Sequence, residues 1–370
     1  MNHDIKPLNV LLKGLLLFLL FNLVIAAWQP QVGSFSLYNV IYPGRERLPF
    51  GENPQQSYNL SLFDLDAMFA SHVIHGTPKS EDEFRVIVIG DSSVWGTLLA
   101  PEETLAGQLN AANLNACGKH VRAYNLGYPT ISLTKDVIML SHGMGYNPDL
   151  VIWMTTLEAF PLERQTSTPL AANNEEKIRE LATSYGLKVA ADDSNFVKKL
   201  FWGKTFIGDR RAWADLIRLQ IYGVMWASTG IDQFYPANYE RAQTDLDADE
   251  TYHNFIPPNL NEGGLALNAL EAGFRAAGET PMMLVNEPML ISAGANSDIR
   301  YNFFYPRWAY DAYREMMFEL TGRNGWMYVD LWDIVPADEF TNSAIHLTPA
   351  GEKLLADALA SYLLEHCEGP

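Results

Sequence analysis

Two short stretches carry residue types that can do chemistry together. Residues 90–96 read GDSSVWG and follow an apolar run at 84–89. Residues 346–351 read HLTPAG and open the last helical pattern of the chain. A serine hydroxyl is a weak nucleophile until a base within hydrogen-bond reach takes its proton, and a neutral imidazole is such a base. Open α/β sheets put their chemistry at the carboxyl ends of the strands. A serine just after the first strand and a histidine just before the last helix can therefore meet over one sheet edge. The chemistry such a pair supports is acyl transfer through a serine ester.

The elements that must position this pair are legible as an alternation. Residues 84–89, 121–126, 150–155, 282–286 and 327–331 read as strands. Helical patterns cover 102–116, 133–144, 262–277, 308–321 and 349–364. Thr348 is the expected N-cap of the last helix, with Pro349 at its first position. Strands alternating with helices argue for a parallel sheet covered on both faces. Residues 158–258 break the alternation. Helical patterns at 175–185, 195–200 and 211–226, and an acidic loop at 245–250, read as a mostly helical insertion. Residues 29–83, rich in Pro, Gly, Asn and Ser in their first 52 positions, read as a linker that wraps the domain at 84–366.

The chain has 370 residues, 48% of them hydrophobic and 19% charged, enough for a sizeable core. Its net charge of -18 argues against nucleic acid, which needs a basic face, and against broad docking on anionic lipid. Residues 1–28 stand apart. Lys6 and Lys13 precede an uncharged apolar run at 14–28. Such a basic start and apolar core mark a signal anchor or a cleaved signal peptide, with Ala26 as a conceivable cleavage position. Either reading puts the remainder outside the cytoplasm: a single-pass membrane protein, or a secreted or periplasmic one after cleavage.

GDSSVWG, NLG at 125–127 and HLTPAG resemble the blocks of the SGNH, or GDSL-type, hydrolase superfamily. The resemblance covers residues 84–157 and 280–366. It implies a flavodoxin-like, doubly wound, five-stranded parallel sheet and ester or acyl chemistry. It implies Ser92, rather than Ser93, as nucleophile and His346 as general base. Asp91 is expected to orient the loop through backbone hydrogen bonds. Gly127 is a candidate oxyanion donor, because a backbone N–H is fixed before the reaction, with the Ser92 N–H beside it.

Two positions depart from the family pattern. No asparagine follows the third strand, which runs into Thr155-Thr156-Leu157-Glu158. Thr156 is the candidate replacement in the oxyanion hole. The aspartate expected three residues before the histidine is Ser343 here, preceded by Asn342. Ser343 can orient the ring, or a carboxylate can come from Asp338, Glu339 or Glu287, the last at the end of the fourth strand. Residues 296–314 combine Arg300, Arg307 and Arg314 with aromatic residues. Arg300 and Arg307 are candidates for an anionic or glycan substrate, against the reading of a packed loop with structural arginines.

Cys117 and Cys367 lie near the ends of the first and last helices of the α/β unit, which a flavodoxin-like order sets side by side. Export would permit a disulfide between them; two separate buried thiols are the other reading. No ligand spacing implies a metal, and no cofactor is implied. Two functions remain open. One is an extracytoplasmic serine esterase or O-acyltransferase acting on an acyl, foremost acetyl, ester of a cell-envelope or secreted glycan, with a membrane acyltransferase as a conceivable partner. The other is a catalytically weak glycan-binding or assembly subunit that keeps the fold.

Overall fold

The computed structural model describes residues 6–30, 44–50, 65–190, 193–229 and 238–368. Helix α1 (Pro7–Trp28) starts with proline in its first turn and stays apolar to its end. Helix α2 (Leu65–Ala70) leads into β1 (Glu83–Ile89), α3 (Ser92–Trp95) and α4 (Leu105–Ala111). Then come β2 (Asn115–Ala116), β3 (Lys119–Asn125), α5 (Leu133–Gly143) and β4 (Leu150–Thr155). The inserted segment carries α6 (Pro169–Asn173), α7 (Glu175–Tyr185) and α8 (Arg210–Thr229). The chain finishes with α9 (Leu267–Ala277), β5 (Met282–Asn286), α10 (Arg307–Asn324), β6 (Met327–Asp330) and α11 (Pro349–Glu368).

The strand order is β2-β3-β1-β4-β5-β6. Neighbours from β3 to β6 pair in parallel, and only β2 is antiparallel. The strands are apolar on both sides because helices cover both sides. Val86, Val88, Ile152, Met154 and Val285 share a core with Leu105 and Leu109 of α4 and Leu355 and Leu359 of α11. Ile87, Ile89, Val151, Trp153 and Leu284 share the other with Val137 of α5, Leu270 of α9 and Tyr310 of α10. The chain leaves β1 to one side for β3, then crosses to the other for β4. The end of β1 is thus the switch point, where an open sheet has its crevice.

Two local expectations are corrected. The helix expected at 102–116 is broken into a 3-10 turn at Pro101–Glu103 and the short α4. Asn113 and Cys117 adopt left-handed φ values of 48° and 50°, and Asn115–Ala116 joins the sheet between them as a sixth strand. No helix forms at 195–200. Asp193 accepts from the Asn195 N–H at 2.9 Å and from Thr166 Oγ1 at 2.6 Å, a local side-chain turn that competes with helix.

Candidate active site

The site is built on the turn after β1. A Cβ on Gly90 would stand 2.6 Å from Val94 Cγ2, so only glycine lets β1 bend into α3 this tightly. Asp91 caps the helix: its Oδ1 accepts the Ser93 N–H at 2.8 Å. Ser92 therefore opens α3 at the carboxyl edge of the sheet. The other side of α3 is braced by the N-terminal segment. Trp95 donates its indole N–H to Leu48 O at 2.8 Å, and Arg47 donates to Gly96 O at 2.8 Å and Leu99 O at 3.0 Å.

His346 comes from the loop before α11. Phe340 and Leu347 bridge across that loop, and Thr341 donates its N–H to His346 O at 2.8 Å. Ile345 and Leu347 are buried on either side, which fixes the ring's backbone. Thr348 caps α11, accepting the Gly351 N–H at 3.2 Å. The two ends of the chain then meet. Ser92 Oγ lies 2.8 Å from His346 Nε2, so the hydroxyl donates to the ring. On its other edge, Nδ1–H donates to Asn342 Oδ1 at 2.8 Å. That partner assigns the tautomer that leaves Nε2 free to accept. Burial lowers the His346 pKa to about 4. No carboxylate hydrogen-bonds the ring among the described residues, so nothing offsets that loss of solvation.

The orienting residues expected from sequence sit elsewhere. Glu287 turns to the neighbouring serine: Ser93 Oγ donates to its Oε2 at 2.5 Å. Burial, with the Asp91 charge nearby, pushes the Glu287 carboxyl well above its ordinary range. Its other oxygen has no partner, as is the case for one oxygen of Glu352. Both line a small cavity with Ser93, Met154 and Ile345 beneath the site. Burial pushes Glu352 up to about 8. Asp338 is exposed and contributes its backbone carbonyl to Arg241. Ser343 makes no hydrogen bond to the ring, and Asn342 takes that place. The sequence signal for Asn342 was its position in the loop just before the histidine. It was read as the neighbour of the candidate rather than the candidate.

The oxyanion candidates change as well. The Gly127 N–H donates to its own neighbour, Asn125 Oδ1, at 3.0 Å. Gly127 is a glycine because α3 presses on it: a Cβ would stand 2.6 Å from the Trp95 nitrogen. The Tyr128 N–H goes to Gly90 O at 3.0 Å, and Pro129 has none to give. The next residue is Thr130, whose N–H has no acceptor among the described residues. The Ser92 N–H has none either. Thr130 is held at φ 136° and its buried hydroxyl lacks a partner. A β-branched residue in that region is strained, and strain of this kind collects at functional sites. Sequence reasoning passed over Thr130, because nothing in its residue type points to an unused N–H. Thr156 is fully buried with its hydroxyl 2.9 Å from that of Tyr305, away from open space.

Arg300 and Arg307 are structural. Arg300 donates to the carbonyls of Phe303 and Phe304 at 3.1 Å and to Asp249 O at 2.5 Å. Arg307 donates to Ser297 O at 2.6 Å and lies over the Tyr301 ring. Guanidinium forks here tie loop carbonyls together, which leaves them no free edge for a substrate anion. Cys117 is disulfide-bonded, and the Cys367 side chain lies outside the described residues.

Fold and pair together define a class: a flavodoxin-like α/β protein with a serine and a histidine joined at the carboxyl edge of its sheet, the arrangement that the SGNH/GDSL resemblance implies. No family model matches the chain, and no curated protein matches it. Solved structures do. A member of the lipolytic G-D-S-L family from Veillonella parvula is 10% identical with a TM-score of 0.34, covering 75% of this chain and 96% of its own. A carbohydrate acetylesterase from Sinorhizobium meliloti is 13% identical with a TM-score of 0.34, covering 76% and 99%. An aryl esterase from M. smegmatis is 14% identical with a TM-score of 0.33, covering 75% and 97%.

Proposed function

We propose that this chain is an SGNH-type serine esterase or O-acyltransferase, anchored by α1 with its α/β domain outside the cytoplasm. Its substrate would be an acyl ester, foremost an acetyl ester of an envelope or secreted glycan. The single observation that carries this reading is the 2.8 Å bond between Ser92 Oγ and His346 Nε2. In the proposed reaction Ser92 Oγ attacks the acyl carbonyl while Nε2 takes its proton. The tetrahedral oxyanion is received by the unused N–H groups of Ser92 and Thr130. The imidazolium then protonates the leaving alcohol, and an acyl-serine remains. Water or an acceptor hydroxyl attacks it, His346 takes that proton, and serine is released. Water makes the chain an esterase, and a sugar hydroxyl makes it a transferase. A membrane acyltransferase partner would fit the second case, as donor of the acyl group.

Asn342 gives this site a particular character. It fixes the tautomer, as a carboxylate would, but adds no charge to stabilise the imidazolium. A base held near pKa 4 takes a proton reluctantly, so slow, substrate-selective turnover is expected.

The test treats the full chain with a fluorophosphonate and with a chromogenic acetyl ester, alongside Ser92→Ala and His346→Ala, and reads intact mass. One adduct on the wild type and none on Ser92→Ala is the expected result, with turnover reduced by about 10³-fold or more in both variants. A folded wild type that neither labels nor turns over would sink the enzyme reading. It would leave the glycan-binding subunit.

A further inference from the structure

An apolar helix on the surface of an acidic chain needs an explanation. Helix α8 of the insertion exposes Ile217 and Ile221, one turn apart on one face, at 57% and 58%. Just before it, Leu200 and Trp202 are exposed at 79% and 69%, with Phe206 and Ile207 partly so. A scattered exposed aliphatic is ordinary, but a contiguous patch marks an interaction site. The patch is continuous with α1. Phe206 packs edge-on against Phe21 of α1, with ring centroids 5.4 Å apart. The Ile207 N–H donates to Asn22 Oδ1 at 3.1 Å. Asn22 is the polar exception in the apolar half of α1, and its amide also donates to Phe18 O at 2.9 Å. Its carboxamide is therefore satisfied by the insertion rather than by water.

Depth decides what the patch meets. Asn22 lies about 9 Å before the end of α1, at 1.5 Å per residue. If α1 spans a hydrocarbon core about 30 Å thick, residues touching Phe21 and Asn22 are at or below its boundary. Polar groups there would be costly, and Phe206 and Ile207 are apolar. Further along, the surface turns polar on both partners at once. A cleft of about 520 Å³ opens beside Gln29 and Pro30, lined by Lys198, Lys199 and Lys204 together with Glu175, Glu176 and Asp209. The local charge also reverses the sign of the whole. Between 196 and 229 stand Lys198, Lys199, Lys204, Arg210, Arg211 and Arg218, against Asp209 and Asp215, in a chain of net charge -18. Apolar residues at one level with cations around them are the composition of an interfacial helix on anionic lipid.

We propose that residues 200–225 form a membrane-docking element that lies in the bilayer interface beside α1 and holds the α/β domain against the membrane surface. Its partner is the headgroup and upper acyl region of anionic phospholipid. The inference rests on the proposal that α1 stays in the bilayer.

The test places the full chain in nanodiscs of mixed anionic and zwitterionic phospholipid and introduces one nitroxide at a time. The positions are Leu16→Cys in α1, Ile217→Cys and Ile221→Cys in α8, and Phe318→Cys, an exposed residue of α10. Relaxation by oxygen, which partitions into lipid, is compared with relaxation by a water-soluble nickel chelate. The expected result is an oxygen-to-chelate ratio at 217 and 221 severalfold above that at 318 and close to that at 16. A lipid profile at 16 with a water profile at 217 and 221 overturns the docking element alone. A water profile at 16 overturns the anchor and the docking element with it. Shielding of 217 and 221 from both relaxants, with spin–spin broadening between copies, identifies a self-association surface and also overturns the proposal.

Discussion

Asn342 Oδ1 accepts from His346 Nδ1 at 2.8 Å, on the opposite edge of the ring from Ser92. A neutral amide thus occupies the place where a charged group would raise the basicity of the imidazole. Asn342→Asp is expected to raise the His346 pKa, because a carboxylate favours the imidazolium. The acid limb of the kcat/KM profile, set near pH 4 in the wild type, moves upward, and turnover at neutral pH increases. Asn342→Ala is expected to lower kcat by about tenfold, the size of one neutral hydrogen bond, with KM little changed. A pH–rate profile for the three forms decides this; an acid limb that does not move in Asn342→Asp would mean that another group sets it.

Thr130 offers a test of the oxyanion donor through its backbone. Thr130→Gly keeps the N–H while removing the penalty of a β-branched residue at φ 136°. Such strain is worth about 1–3 kcal/mol, against roughly 1 kcal/mol of added chain entropy in the unfolded glycine variant. The variant should melt at or above the wild-type temperature and retain acetyl-ester turnover. A loss of turnover with unchanged melting would mean that the threonine side chain, rather than the N–H, matters to the reaction.

The buried acids beneath the site predict how stability depends on pH. Glu352 has a folded pKa of about 8 against an ordinary value of 4.5. The folded state therefore holds a proton that the unfolded state releases. Its contribution is fully present below the unfolded value and is lost as pH rises through 8. The melting temperature should fall between about pH 5 and pH 9, and Glu352→Gln should flatten that fall and raise melting at the alkaline end. Glu287 shifts in the same direction, so Glu287→Gln keeps the Ser93 bond and adds to the effect. Glu287→Ala leaves the Ser93 hydroxyl without its acceptor and should cost about 1–3 kcal/mol. Thermal melts of the four forms across pH are the measurement; a wild-type melting curve that does not change over this range would show that these acids are already ionised when folded.

The sequence by itself determined the parts that depend on local pattern. Apolar runs separated by helical periods specify β1, β3, β4, β5 and β6 and their parallel order, since strands buried on both faces need helices on both faces. Gly90, Asp91 and Ser92 form a strand-to-helix turn from residue type alone, and HLTPAG announces a capped helix with His346 at its entrance. What only the tertiary structure decided is where each polar group finds its partner. Asn342 rather than Ser343 holds the ring, because the loop from Phe340 to Leu347 curls back on itself. Glu287 serves Ser93, and Arg300 and Arg307 serve loop carbonyls, because those acceptors come from distant parts of the chain. Gly127 yields to Thr130 for the same reason: whether an N–H is free depends on which acceptors the folded loop brings within 3 Å of it. Periodicity encodes which face of an element is buried. A hydrogen bond between residues far apart in sequence is fixed by packing, which no local pattern contains.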